Sequence, residues 1–216
     1  MATNAPPSVD PANQDSLEGV FSTILRKFLQ RTDDMLPARV VSYDRTTNRA
    51  TVQPVVSLLT TAGTQLARAT VGSVPVLLLG GGGHMLSFNL QAGDLGWIKA
   101  SDRDISMFLQ SFNVGPPNTQ RMHSFEDALF IPDAMRGYTI APEDDSAVSL
   151  QTLDGTYKVV VGTNHVTLKA GATTFTLGSG GASYTGGPFI INGIPFGTHT
   201  HSGVEPGVGN TGVPNV

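Results

Sequence analysis

The chain has 216 residues, a net charge of −4, only 14% charged side chains and no cysteine. That balance excludes the basic stripe with which a nucleic-acid binder meets phosphates, and the missing thiols exclude disulfides, iron–sulfur clusters and cysteine catalysis. No apolar run approaches a membrane span and Met1–Asn4 lacks the basic and apolar regions of a signal peptide, so the expectation is a soluble chain made in the cytoplasm.

Residues 1–14, rich in Pro, Asn and Ser, are expected to form a disordered arm. A helix over 15–34 follows, opened by a capping box between Asp15 and Glu18. Its apolar positions (Leu17, Val20, Phe21, Ile24, Leu25, Phe28 and Leu29) form one stripe opposite Arg26, Lys27 and Gln30. The polar face is too weakly basic for a membrane-surface helix, so the stripe is expected to dock on the domain that follows.

From Leu36 the pattern turns to strands. Ala38–Tyr43 and Arg49–Pro54 around a turn at Asp44–Asn48 read as a hairpin. Further strands are expected at Ser73–Leu79, at Asp94–Ala100 with the single tryptophan Trp97, and at Ile105–Gln110. Several short strands with long connections predict a small OB-fold-like barrel over 35–125. It carries too few exposed aromatic and basic residues for oligonucleotides, which leaves an adaptor role and no nucleic-acid partner. The four glycines Gly80–Gly83 are followed by His84-Met85 rather than Gly-Lys-Ser/Thr, so they are a loop and not a phosphate cradle. Residues 126–147, with Pro132 and Pro142, are expected to be an irregular connector.

A repeat occupies 148–195. The apolar pairs Val148/Leu150, Tyr157/Val159, Val166/Leu168 and Phe175/Leu177 step by nine residues, as do Gly162, Gly171 and Gly180. Within each pair both side chains reach one face, while Ser149, Lys158, Thr167, Lys169, Thr174 and Thr176 take the other. Such a ribbon cannot bury its apolar face alone. Three copies around an axis would cover it, as a triangular β-prism or intertwined β-helix. A calcium-binding nonapeptide has the same period but needs an aspartate in every turn, and none follows Asp154.

From Gly171 onward Glu205 is the only charged side chain, and nearly half of the 25 glycines lie there. Small neutral residues fit a crowded axis and lower the cost of crossing lipid. The segment 196–216 contains His199-Thr200-His201, whose alternate residues would face one side of an extended chain. Two imidazoles do not complete a metal site, and such a pair in a Gly-rich tail is ordinarily uncommitted. Three copies on a threefold axis would supply six, an octahedral nitrogen shell that suits iron or nickel better than zinc.

A helix, an OB-like barrel, a β-repeat shaft and a terminal Gly197-Thr-His-Thr-His-Ser-Gly-Val204 together resemble the central baseplate spike of contractile-tailed bacteriophages, in its short, lysozyme-free form. The resemblance spans nearly the whole chain, and the apex motif is its most specific part. It implies a mainly β homotrimer of the virion baseplate, with His199 and His201 of three chains holding one iron ion per trimer. It also implies contacts to hub or tail-tube proteins through the N-terminal region, and transient passage through the host outer membrane driven by sheath contraction. Thr198, Thr200 and Glu205 are candidates to hydrogen-bond the imidazoles. The alternatives are a receptor-binding tail fibre tip and a tail-associated metal enzyme. No catalytic carboxylate pair or Gly-x-Ser-x-Gly motif is present, and six imidazoles would leave a metal no open position, so no enzymatic activity is expected.

Overall fold

A computed structural model describes residues 16–60, 63–135, 137–198 and 203. The expected arm over 1–14, the Asp15 expected to open the helix, and the histidines His199 and His201 lie outside the described residues. The chain divides into two compact units, Met1–Arg136 and Gly137–Val216.

The first unit begins with α1 (Leu17–Gln30), capped by Ser16, whose hydroxyl accepts the Gly19 N–H at 3.0 Å. Five strands follow: β1 (Met35–Asp44), β2 (Arg49–Pro54), β3 (Val71–Pro75), β4 (Leu95–Ser101) and β5 (Ser124–Pro132). They form one sheet in the order β3-β2-β1-β4-β5. The edges nearly meet: Val76, just past β3, makes a parallel bridge to Phe130 of β5, and the Leu77 N–H reaches the Phe130 carbonyl at 2.8 Å. The result is a near-closed five-stranded barrel.

Alternating residues fill it. Ala38 and Val40 of β1, Ala50 and Val52 of β2, Ile98 and Ala100 of β4 and Phe130 of β5 are buried in one cluster. Gly96 is required: a Cβ there would collide with the Phe130 ring and the Ile131 carbonyl. Two short hairpins, Leu58–Leu59 with Gln65–Leu66 and Leu79–Gly81 with His84–Leu86, project between the strands. Of the four glycines expected to be a loop, Gly80 and Gly81 lie in the first strand of the second hairpin, and Gly82 and Gly83, both at positive φ, form its bend.

Three expectations are corrected in this unit. Ile105–Gln110 is not a strand; Ser106–Ser111 is a helix, α2. The Asp104 carboxylate accepts the Ser106 N–H at 2.9 Å, and Phe112 stops the helix in the left-handed region at φ 54°. Six residues of mixed apolar character cannot by themselves distinguish strand from helix, and here the Asp104 turn just ahead of the helix decides. The barrel's fifth strand is instead Ser124–Pro132, so the first part of the expected connector is β structure. Its alternation is broken by a bulge, where the pairing jumps from Ala100↔Ala128 to Ser101↔Ser124 and Asp127 turns inward beside Ala128.

The third correction concerns α1. Its stripe does not dock on the barrel: the seven apolar side chains are between 42% and 74% exposed, and only Gly19 of this helix is buried. The helix is amphipathic as predicted, but its apolar face has no cover among the described residues.

The second unit is an antiparallel meander of five strands: β6 (Val148–Gln151), β7 (Tyr157–Val161), β8 (His165–Ala170), β9 (Thr173–Gly178) and β10 (Gly181–Thr185). The nine-residue period is one strand plus one tight turn. At the Asp154-Gly155 turn the Asp154 carboxylate accepts from the Thr152 and Thr156 hydroxyls and the Thr156 N–H, and Gly155 takes φ 70°. A last small hairpin, β11 (Ile190–Ile191) and β12 (Ile194–Pro195), turns through Asn192 and Gly193, both at positive φ, the residue pair such a tight turn favours.

Candidate functional site: an uncovered sheet face below the apex

The pairing of the meander aligns its repeated side chains into two rows. Leu150, Val159, Leu168, Phe175 and Tyr184 face one another across all five strands, and Val148, Val161, Val166, Leu177 and Ala182 form a second row beside them. Both rows lie on the same face because each pair is two residues apart. A residue such as Val148, 77% exposed, has no business there in a sheet that is finished. Burial of each such side chain would contribute on the order of 1.5–3 kcal/mol.

The opposite face is covered by the chain itself. The segment leading into β6 folds back across it: the Gln151 side-chain amide donates to the Thr139 carbonyl at 2.6 Å, and Lys158 is ion-paired with Asp144 of the short 3-10 helix Pro142–Asp144. Val160 is fully buried on this side. Thr167 and Thr176 share a hydrogen bond at 3.2 Å across β8 and β9. The hydrogen bond to Asp144 raises the Lys158 pKa above its ordinary value against the opposing effect of burial. The second part of the expected connector is thus the outer cover of the sheet, which leaves the apolar rows as the free face.

The rows continue toward the apex. Tyr184 pairs with Phe175, its ring lies 5.1 Å from that of Phe189, and Phe189 lies 6.5 Å from Phe196 in an edge-to-face contact. The Phe196 N–H donates to the Phe189 carbonyl at 2.7 Å, closing the last hairpin. Ile190, Ile191 and Ile194 in that hairpin are exposed. Phe196 ends the aromatic run three residues before His199.

The other histidines are far apart in function. His84 lies in an exposed barrel hairpin, His123 stands 3.9 Å from Asp102, and His165 contacts Asn164 at 3.1 Å. Among the described residues no three His, Asp or Glu side chains gather as a metal site, and no helix is long and apolar enough to cross a membrane. The densest charged cluster is in the barrel, where Arg121 holds Asp127 at 2.6 Å and Glu126 at 2.7 Å. Beside it Asp104, buried, accepts from Thr119 at 2.7 Å. Hydrogen bonds from Ser106 and Thr119 keep the Asp104 carboxyl well below the usual carboxylate range. Every acid of this cluster is bound to a donor, as befits a clamp that ties the α2 loop to β5. Sequence reasoning missed it because its members are spread over Asp104–Asp127 and meet only through the bulge.

Comparison with protein families finds two matches. Residues 36–133 match the phage protein Gp138 N-terminal domain. Residues 193–215 match the GpV apex motif, a span that includes both His199 and His201. Comparison with curated proteins finds no match. The first match coincides with the five barrel strands and ends one residue after β5; the second begins at the turn of the last hairpin. A barrel of the first family and an apex of the second, joined in one chain by a β meander, make this a phage baseplate spike protein and thus a component of the virion tail.

Proposed function

We propose that the protein is the homotrimeric tail-tip spike that pierces the host outer membrane when the sheath contracts, acting mechanically and without catalysis. The uncovered apolar face of the meander carries this reading. A sheet already covered on one side needs an apolar partner on the other, and two further copies related by a threefold axis offer identical rows, as in a β-prism or intertwined β-helix. The barrel, of OB type, then serves as the adaptor to hub or tail-tube proteins.

His199 and His201 would hold an iron ion, two imidazoles from each chain. The donor set fits: imidazole nitrogen suits iron, and six such donors complete an octahedral shell. When bound, the ion would supply cross-linking of three chains rather than a reaction, and structural zinc sites contribute ~10 kcal/mol or more to folding. The chain's own residues do the rest. The apolar rows hold the three copies together, the aromatic run through Phe189 and Phe196 stiffens the approach to the apex, and the uncharged Gly-rich end reduces the cost of entering lipid.

The test is light scattering and elemental analysis on one gel-filtered sample. The expected result is three chains per particle with one iron atom, and loss of the iron with retention of the barrel in the His199→Ala, His201→Ala double variant. A monomer, or a full metal atom per chain, would overturn the reading. Cell binding that depends on the apex, with no membrane permeabilisation, would favour a receptor-binding fibre tip instead.

A further inference from the structure

We infer that α1 is a second trimerisation element: the three copies of Leu17–Gln30 pack against one another as a parallel three-helix bundle. This rests on the threefold reading above. Leu17, Phe21, Ile24 and Phe28 are spaced four, three and four residues apart, the alternation of a heptad seam. Val20 and Leu25 flank the seam, five residues apart, the offset at which flanking positions of neighbouring parallel helices meet. Both are exposed and apolar, where a two-stranded coiled coil would carry charges. An apolar strip this wide is covered better by two neighbours than by one.

The helix is also held in place for this role. Its last turn is closed by the Arg31 N–H to Phe28 carbonyl bond at 3.0 Å and by the Thr32 hydroxyl, which donates to the same carbonyl at 2.9 Å. The next residue, Asp33, donates its N–H to the His123 carbonyl at 2.9 Å and accepts from Arg68 at 2.9 Å and from the Phe125 N–H at 3.3 Å. Asp34 is paired with Lys99, and its carbonyl accepts the Ala100 N–H at 2.7 Å. A junction anchored at two successive residues fixes where the helix leaves the barrel, yet the helix body buries no apolar side chain. In a trimer three such helices would be tethered within reach of one another, at an effective concentration that removes most of the association cost. Fourteen residues are otherwise too few for a stable isolated helix in water.

The chain has no cysteine, so single cysteines can report the arrangement. In the full-length protein, Leu17→Cys places a thiol in the seam and Arg26→Cys places one on the outer side. A short bis-maleimide should link Leu17→Cys chains at least tenfold more efficiently than Arg26→Cys chains at equal concentration. Phe21→Asp with Phe28→Asp should remove most of the helical circular dichroism while light scattering still reports three chains held by the shaft. Equal cross-linking at both sites, or an unchanged helical signal in the double variant, in a protein that remains trimeric, would assign the stripe to another partner and overturn the proposal. A monomeric wild-type protein would overturn the threefold reading itself, and this inference with it.

Discussion

The two units solve the same problem in opposite ways. The barrel curls one five-stranded sheet until its edges nearly meet, and Ile98, Val52 and Phe130 are sealed inside a single chain. The meander has as many strands but stays open, with ten residues in two rows on the face that no other described segment covers. The difference lies in the strand partners at the ends. Val76 brings β3 to Phe130 of β5, whereas among the described residues β6 and β10 each pair with a single neighbour. A closed sheet makes an interior, and an open one makes an interface. The first unit thus covers its own apolar surface, and the second leaves one apolar face exposed.

The sharpest way to break this contrast is a charge in the open face. Val159→Asp, in the first apolar row, is expected to abolish the proposed trimer and the ordered meander while leaving the barrel folded. Light scattering together with Trp97 fluorescence reads the two outcomes separately, and a trimer that survives the charge would place the interface elsewhere. Phe130→Ala should do the reverse. Deleting a buried aromatic costs about 3–5 kcal/mol, so the barrel should unfold at lower denaturant while the shaft remains trimeric. Melting should accordingly depend on protein concentration for the shaft transition and not for the barrel transition.

Lys158→Met examines the covered side of the meander. It strands Asp144 beneath the folded-back segment, and breaking a buried pair on one side costs about 3 kcal/mol. The expected result is a lowered shaft transition without loss of the trimer. The smallest effect is at a turn. Hydrogen bonds from Thr152, then Thr156, hold the Asp154 carboxyl down to about 2, below its ordinary 3.8. A depressed pKa stabilises the fold above the ordinary value, and that contribution is lost as pH falls from about 4 through 2. Asp154→Asn should therefore melt below wild type at pH 6 and converge with it toward pH 2. A gap that stays constant with pH would show that the turn does not depend on the charge.

Much of this was legible along the chain. The nine-residue step of apolar pairs foretold the strands of the meander and which residues share a face, because a period of two within each pair has only one structural meaning. Tyr184 continues the same step, nine residues after Phe175, and extends the row to a fifth strand. The hairpin of Ala38–Tyr43 with Arg49–Pro54 and the Trp97 strand were equally clear. Ile105–Gln110 is ambiguous, since a short apolar run reads as a strand until the Asp104 turn ahead of it is seen. Ser124–Pro132 was hidden by the bulge that interrupts its alternation at Asp127. The stripe of α1 is legible as a stripe, but the exposure of its side chains shows that it does not dock on its own barrel.

The amino-acid sequence by itself determined the local periods: a helix with one apolar side, strands with two alternating faces, Gly and Asn at the turns, and a paired histidine near the end. Those properties follow from neighbours in the chain and need no third dimension. Tertiary structure alone decided which apolar surfaces became interior. The parallel contact of Val76 with Phe130 brought the barrel edges nearly together, the Lys158–Asp144 pair covered one side of the meander, and α1 was left exposed among the described residues. Each outcome depends on residues far apart in sequence, and whether a surface is covered is a property of what the fold brings to it.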